Sequence, residues 1–102
     1  MEVVAIHPDI KKRIAELPRE VEVRVLQLIE LLQVHEYHLS MPFSKKIGKN
    51  LYELRVMGEQ HIRIFYTFHT NRAILLHLVT KKAQKLRKKD LETAKQRLRW
   101  LQ

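Results

Sequence analysis

The spacing of apolar residues over the first 37 positions predicts a short strand followed by a helical hairpin. Residues 2–6 are β-prone and end just before Pro8, which suits the first turn of a helix. Apolar residues then recur at the spacing of an amphipathic helix, at Ile10, Ile14, Leu17, Val21, Val25, Leu28 and Leu32. Pro18 interrupts this series and opens a second helix. We therefore expect two helices, the second ending near Tyr37.

The pattern after residue 50 predicts three strands. Residues 51–57 and 61–68 alternate between apolar and polar positions, as half-buried strands do. Residues 73–80 are almost continuously apolar, which favours a strand covered on both faces. Short turns at Gly58-Glu59-Gln60 and Thr70-Asn71 would make the three strands an antiparallel meander. Residues 39–50, which include Pro42 and Gly48, are predicted to form a loop.

A final helix is predicted from apolar residues at Leu91, Ala94, Leu98 and Leu101. The expected fold is therefore α+β, a single compact domain over residues 1–102 with the order β-α-α-β-β-β-α. One face of the meander would pack on the helical hairpin. The opposite face, which carries Arg55 and Arg63, could remain open and accept a ligand.

Charge changes this picture, because the formal net charge of +9 is unevenly distributed. Residues 1–44 hold five Lys/Arg and seven Asp/Glu, whereas residues 45–102 hold fifteen and four. Such a basic half favours a polyanion or an acidic protein as partner; simple solubility is the alternative. The absence of cysteine excludes disulfides and thiolate metal sites. No signal peptide or membrane-spanning run is evident, so we expect a cytoplasmic protein that does not bind membranes.

Arg55 and Arg63 are the first candidate functional residues. In a hairpin centred near Gly58 they lie at the same level on neighbouring strands and on the same face. Two adjacent guanidiniums repel each other unless an anion bridges them, and their planar geometry suits phosphate. The alternative is a pair of surface arginines neutralised by Glu53. Lys81, Lys82 and Lys85 follow the last strand and either converge on the same face or form a hydrated linker.

Histidines offer further candidates. His61 shares the face of Arg63 and could act as an acid or base near neutral pH. His35 and His38 have a spacing that could hold a metal, but no further ligands are obvious, so no metal site is predicted. His77, inside an apolar strand, is predicted to be a hydrogen-bonded core residue. The sequence contains no Gly-rich phosphate loop and no HExxH motif.

Three sequence blocks resemble toxins of bacterial type II toxin–antitoxin systems. They are MPFSKKIG leading to LYELR in residues 41–55, IRIFY in residues 62–66, and LHLVTKKAQK in residues 76–85. The resemblance is to the RelE/ParE superfamily, and within it to the HigB-like, phage-derived branch. It implies a RelE-like compact fold and a toxin that enters the ribosomal A site and cleaves mRNA by 2′-OH transphosphorylation, with no metal or other cofactor.

The resemblance also implies roles for individual residues. Arg63 would stabilise the phosphate, with Arg55 beside it. Lys81 or Lys82 would transfer protons, and Lys85 and His61 are further catalytic candidates. Other basic residues are expected to contact RNA: Lys45, Lys46, Lys49, Arg87, Lys88 and Lys89.

The partners implied by the resemblance are a cognate antitoxin, mRNA and the ribosome with its 16S rRNA. The antitoxin would be a helix-turn-helix, HigA-like protein, and operator DNA would be bound only through the toxin–antitoxin complex. Two alternatives remain open: a ParE-like inhibitor of DNA gyrase without nuclease activity, and a non-catalytic RNA-binding domain. A scarcity of aromatic residues, 7% of the chain, makes RNA binding by stacking less attractive.

Overall fold

The chain folds into one five-stranded sheet with helices on both faces. The computed structural model describes residues 1–58, 61–81 and 87–102, with the backbone alone for His61 and Lys81. The elements, in chain order, are β1 (Glu2–Ala5), α1 (Pro8–Ala15), α2 (Arg19–His35), a 3-10 turn (Glu36–His38), β2 (Ser44–Gly48), β3 (Leu51–Val56), β4 (His61–His69), β5 (Arg72–Lys81) and α3 (Lys88–Arg99). This architecture confirms the predicted α+β class.

The sheet has the strand order β1-β5-β4-β3-β2. Strands β3, β4 and β5 form the predicted antiparallel meander, and β1 joins β5 in parallel. The connection between β4 and β5 is a two-residue turn in which Thr70 and Asn71 have φ values of 48° and 62°. Positive φ at both central positions belongs to the type I′ turn, whose twist matches that of a hairpin.

The prediction of a loop over residues 39–50 is wrong in its second half. Residues Ser44–Gly48 form β2, which pairs antiparallel with β3 and makes one edge of the sheet. Ser44 is buried, and its hydroxyl lies 2.5 Å from the Tyr66 hydroxyl on β4. This hydrogen bond joins two strands that are not neighbours, so β2 is anchored by a side chain as well as by its backbone.

The larger apolar core lies between the helical hairpin and the sheet. Helix α1 contributes Ile10 and Ile14, and α2 contributes Val25, Leu28 and Leu32, all buried. The sheet meets them with alternate residues of β3 and β4, among them Leu54, Val56, Ile62, Ile64 and Tyr66. The alternation read from the sequence therefore selected the correct face of both strands.

The opposite face of the sheet, which the strand pattern alone allowed to be open, is covered. Helix α3 packs against it and encloses a second apolar cluster that includes Leu51, Phe65, Leu76 and Ala94. The amphipathic pattern of α3 requires such a partner, because a helix with an apolar stripe is stable only when that stripe is covered. Arg63 lies on this covered face and is itself buried.

Two arginines complete the edge of β5 beyond the short strand β1. The pairing with β1 ends at Leu75, so carbonyl groups further along this edge need other donors. Arg13 donates to the Leu78 carbonyl at 2.7 Å, and Arg97 donates to the Leu76 carbonyl at 2.8 Å. Arg97 also forms a two-pronged ion pair with Asp9 on α1, so it links α3, β5 and α1.

Candidate functional site: two arginines and a shared carboxylate

Arg55 and Arg63 lie directly opposite each other in the register of β3 and β4. Because side chains alternate along a strand, this register places both on the α3 face of the sheet. Directly opposite residues of antiparallel strands have Cβ atoms about 5 Å apart. The predicted pairing of the two arginines is therefore confirmed at the level of the backbone.

The Glu53 carboxylate lies beside both guanidiniums. Glu53 is two residues before Arg55 on β3 and so shares its face. Its Oε1 is 3.1 Å from Arg63 Nε and 3.6 Å from Arg55 Nε. Neither Nε has an aligned hydrogen-bond acceptor among the described residues. The Nε–H groups of the two arginines therefore do not point at the carboxylate oxygen, and their contacts with Glu53 are electrostatic. One oxygen thus serves two cations without satisfying the hydrogen-bonding capacity of either.

The site is unusually buried for three charged groups. Side-chain exposure is 6% for Arg63 and 7% for Glu53. Burial lowers the pKa of Arg63 from its ordinary value, the Glu53 charge raises it, and the neighbouring Arg55 charge lowers it. An arginine remains protonated at neutral pH all the same. The group therefore keeps one net positive charge in a region of reduced dielectric, where charge acts strongly on an anion.

Arg55 and Arg63 differ in access to solvent. The Arg55 side chain is 30% exposed, and its Nη1 lies 3.6 Å from the Met41 sulfur at the surface. Arg63 Nη1 instead donates to the carbonyl of Ile62 at 3.0 Å, and this contact is buried. An anion arriving from solvent therefore meets Arg55 first, with Arg63 and Glu53 behind it. The sequence predicted the pair but not that Arg55 is the more exposed of the two arginines.

The catalytic candidates of β4 and β5 fall partly outside the described residues. The backbone of His61 pairs with that of Lys81, one alternation beyond the pair Arg63–Val79. Two residues along a strand span about 6.6 Å. The backbone of the pair His61–Lys81 therefore lies about that far from the pair Arg63–Val79, at the same end of β4 and β5. The side chains of His61 and Lys81, and all of Lys82 and Lys85, lie outside the described part of the chain.

The predicted RNA-contacting lysines of the segment before β3 are divided between two faces. Lys45 pairs with Glu53, and Lys46 pairs with Tyr52. Strand alternation therefore gives Lys45 the face of the arginine pair. Lys46 lies on the hairpin face, where its Nζ is 6.0 Å from the Tyr52 ring. The turn residue Lys49 is exposed.

A second basic group lies where α3 begins. Arg87, Lys88 and Lys89 are all exposed, at the N-cap and in the first turn of the helix. Directly behind them, Asp90 Oδ1 lies 3.1 Å from His77 Nε2 on β5. The prediction that His77 is a hydrogen-bonded core residue is confirmed. Its contact with Asp90 attaches the start of α3 to the sheet.

The described residues contain neither a cluster suited to a metal ion nor a helix suited to crossing a membrane. Among the described residues, no group of three or more His, Asp or Glu side chains is placed to hold a metal ion. His35 ends α2 and His38 lies in the following 3-10 turn. In the part of the chain that the structure covers, no helix has the length and apolar character needed to cross a membrane.

Sequence reasoning underestimated the role of Glu53. It gave Glu53 only as the neutralising partner of two surface arginines, whereas the carboxylate is buried and lies closer to Arg63 than to Arg55. The sequence pattern did indicate this contact. Glu53 and Arg55 are two residues apart on one strand and share a face, and Arg63 on the next strand is the diagonal neighbour of Glu53. A cleft also lies between α2 and the end of β3, and Arg55 is one of its lining residues. No local sequence pattern predicts this cleft, since α2 and β3 meet through tertiary packing.

Comparison with known proteins places this fold and site in a family. Residues 12–99 match the phage-derived protein Gp49-like family (DUF891). No curated protein matches the chain. The matched segment runs from α1 to the end of α3 and contains Glu53, Arg55 and Arg63. Its members are toxins of toxin–antitoxin systems, and such a toxin has a cognate antitoxin as partner. The chain belongs to the Gp49-like family of phage-derived proteins, a toxin family related to RelE and ParE.

Proposed function

We propose that this toxin is a HigB-like endoribonuclease that cleaves mRNA on the ribosome and so inhibits translation. The observation that carries the proposal is the opposed pair Arg55 and Arg63, on neighbouring strands, with Glu53 as their shared counter-ion. Membership of a toxin family related to RelE supports it. A gyrase inhibitor has no chemical need for such a pair.

The chemistry is transphosphorylation. The ribose 2′-OH loses its proton and attacks the adjacent phosphorus, the P–O5′ bond breaks, and the leaving oxygen takes up a proton. The products are a 2′,3′-cyclic phosphate and a 5′-OH end. The reaction needs an acceptor for the first proton, stabilisation of extra negative charge on phosphorus, and a donor for the second proton.

Arg55 and Arg63 supply the second requirement. Arg55, the more exposed of the two, contacts the phosphate. Arg63 is buried behind it, and its positive charge acts on the phosphate strongly because the surroundings have a reduced dielectric constant. The proton-transfer groups are proposed among His61, Lys81, Lys82 and Lys85, as the family resemblance implies. The backbone pairing of His61 with Lys81 at the end of β4 and β5 supports this assignment.

Exposed cations around the sheet suit a polyanionic substrate. Lys45, Lys49 and the group Arg87, Lys88 and Lys89 are all exposed. Contacts between such residues and phosphates release counterions, so we propose that they bind mRNA and 16S rRNA with a strong dependence on salt. We further propose a helix-turn-helix, HigA-like antitoxin, whose acidic segment would neutralise the same basic half of the toxin and whose complex would bind operator DNA.

The test is induced expression followed by mapping of the 5′ ends of cellular mRNAs. Wild type is expected to arrest growth and produce new 5′-OH ends. Arg63→Ala and Arg55→Ala are each expected to lower cleavage by about 100-fold or more, the size typical of losing one charge-stabilising group. Arg72→Ala is the control, because Arg72 is exposed and lies at the opposite end of β5.

The buried position of Arg63 requires a check on folding. Antitoxin binding and the thermal transition are measured for each variant, and Arg55, at 30% exposure, provides the variant that is safer for the fold. If both arginine variants still cut mRNA at wild-type rates, the proposed site is wrong. Growth arrest with intact mRNA and stalled replication would contradict the nuclease and favour the gyrase inhibitor.

A further inference from the structure

A cleft of about 440 Å³ lies between α2 and the end of β3, beside the arginine pair. Leu28 and Leu31 of α2 and Val56 of β3 form its apolar floor. Phe43 and Met57 line its mouth and are 40% and 63% exposed. The volume falls in the range of small-molecule sites, about 300–1,000 Å³. The cleft is therefore large enough for a ligand of nucleotide size, and its walls are largely apolar.

Among the described residues, the charged side chains that line this cleft are both arginines. Arg24 stands on the α2 side and Arg55 on the β3 side, and the remaining polar lining side chain is that of Gln27. Apolar pockets with a few convergent polar groups are the usual form of a ligand site. A cleft lined by two arginine residues and an apolar floor suits a molecule that is anionic at one point and flat and apolar at another.

Arg24 is held in place by the turn after β3. Its Nη1 donates to the Met57 carbonyl at 3.4 Å. Gly58 has a φ of 141°, and a Cβ at this position would collide with Arg24 Nη1. Glycine allows this close approach because it has no side chain. The exposed Arg24 guanidinium thus lies against the turn at the end of β3, on the α2 side of the cleft.

Arg55 connects the cleft with the proposed cleavage site. Arg55 is among the residues that line the cleft, and its Nε is 3.6 Å from the Glu53 carboxylate that also contacts Arg63. Its backbone N–H donates to the Phe43 carbonyl at 2.9 Å, which holds the aromatic residue beside it. A phosphate bound at Arg55 therefore has an aromatic side chain and an apolar cavity immediately next to it.

We propose that this cleft binds the nucleotide next to the scissile phosphate, with its base against Phe43 and Met57 and its phosphate between Arg24 and Arg55. The proposal rests on the proposed nuclease function, which it extends to the recognition of a base. Base–aromatic stacking and arginine–phosphate contacts are the usual means of holding single-stranded RNA. An acidic antitoxin segment would use the same charges, but it has no need of a cavity of this size.

Direct binding of adenosine 5′-monophosphate to the purified chain tests the site without a ribosome and without cleavage. In NMR titrations, the amides of Phe43, Met57 and Gly58 are expected to shift. Phe43→Ala is expected to weaken binding at least about fivefold, the lower limit for loss of one stacking partner. Trp100→Ala is the matched control, because Trp100 is an exposed aromatic residue directly after α3 and does not line the cleft. Its affinity should stay within about twofold of wild type.

Ribose 5-phosphate and inorganic phosphate separate a base site from a simple anion site. Both are expected to bind more weakly than adenosine 5′-monophosphate. Equal affinity for all three probes, or shifts that avoid Phe43, Met57 and Gly58, would overturn the proposal. Arg24→Ala should weaken all three probes, whereas Arg72→Ala should not. If Arg24→Ala instead weakens antitoxin binding and leaves nucleotide binding unchanged, the cleft is a peptide site and the proposal is wrong.

Cleavage assays then connect the cleft with the reaction. Phe43→Ala is expected to raise KM for ribosome-bound mRNA and to broaden the base preference at the cut, with less change in kcat. An unaltered KM and an unaltered cleavage pattern would overturn the recognition role. If nucleotide binding succeeds while no mRNA is cut by wild type, the nuclease proposal fails and the binding site stands. The two proposals can therefore fail separately.

Discussion

The two faces of the sheet bury side chains of different character. The hairpin face meets α1 and α2 through a continuous apolar core that includes Leu32, Leu54 and Ile64, each with no exposed surface. The α3 face has a smaller apolar cluster. Beside this cluster lie Glu53 and Arg63, buried on the same face as Arg55.

This difference separates the apolar core that stabilises the molecule from the charged group that we propose as its functional site. Burial of apolar surface on the hairpin face supplies favourable free energy at about 25 cal/mol per Å². Buried charges seldom add stability, because desolvation offsets much of the attraction between them. Three charged groups on one covered face therefore need a reason other than stability. Local departures from good packing are expected at functional sites, and a site for a phosphate is such a reason.

The largest expected effect is on the hairpin face. Leu32→Ala should lower the free energy of unfolding by about 2–5 kcal/mol, because the lost side chain leaves a cavity in a core that relaxes only partly. Leu98→Ala on α3 is the comparison, since Leu98 is half-buried against the smaller cluster. It should cost less than half as much. Urea unfolding measures both, and equal losses would show that the two faces contribute alike.

A smaller effect is expected from the shared carboxylate on the α3 face. Glu53→Gln keeps the shape of the side chain but removes the counter-charge of Arg55 and Arg63. Leaving buried cations imperfectly compensated should lower the free energy of unfolding by about 1–3 kcal/mol. Glu92→Gln is the control, because Glu92 is exposed on α3 and its ion pair with Lys88 is long, at 4.0 Å.

Added sulfate sharpens the same comparison. An anion that binds only the folded protein raises its stability by mass action. Sulfate should therefore recover more stability for Glu53→Gln than for wild type or Glu92→Gln. In Glu53→Gln, the bound anion can supply the negative charge beside Arg55 and Arg63 that the carboxylate no longer provides. Thermal unfolding at increasing sulfate, against sodium chloride of equal ionic strength, measures this. An identical response of all three proteins would show that Arg55 and Arg63 do not form an anion site.

Local sequence patterns were sufficient for the meander and for the arginine register. The alternation on either side of Gly58 aligned Arg55 with Arg63, because a short turn leaves little freedom in pairing. Strand β2 was missed because Ser44–Gly48 has no clear alternation and contains two adjacent lysines. Its pairing with β3 and the buried contact of Ser44 with Tyr66 stabilise it. Neither can be read from the segment itself.

The covered α3 face could have been anticipated in part. By strand alternation Phe65 shares the polar face of Arg63 on β4, and a large aromatic side chain on that face already calls for a covering element. The apolar stripe of the final helix needed such a surface. What sequence could not supply is the contact of Arg97 with Asp9, because these residues are 88 positions apart. Contacts of that separation depend on the finished fold.

The smallest expected effect comes from this long-range ion pair and depends on pH. Arg97 Nη2 lies 2.9 Å from Asp9 Oδ2. Burial raises the pKa of Asp9, but the hydrogen bond and charge of Arg97, with a contribution from His7, lower it below its ordinary value of 3.8. A carboxyl with a lowered pKa in the folded state adds stability above its unfolded pKa, and this is lost as the pH falls through the folded value.

Asp9→Asn should therefore reduce stability by less than about 1 kcal/mol at pH 7, because a side chain 34% exposed is partly screened by water. The difference from wild type should shrink as the pH falls below about 4, where the wild-type carboxyl also becomes neutral. Urea unfolding of both proteins between pH 7 and pH 3 measures it. A difference that is constant over this range would show that the contact between α1 and α3 depends on shape and not on charge. The end of α3 would then be attached by packing and by the hydrogen bond from Arg97 to the Leu76 carbonyl, which does not depend on the Asp9 charge.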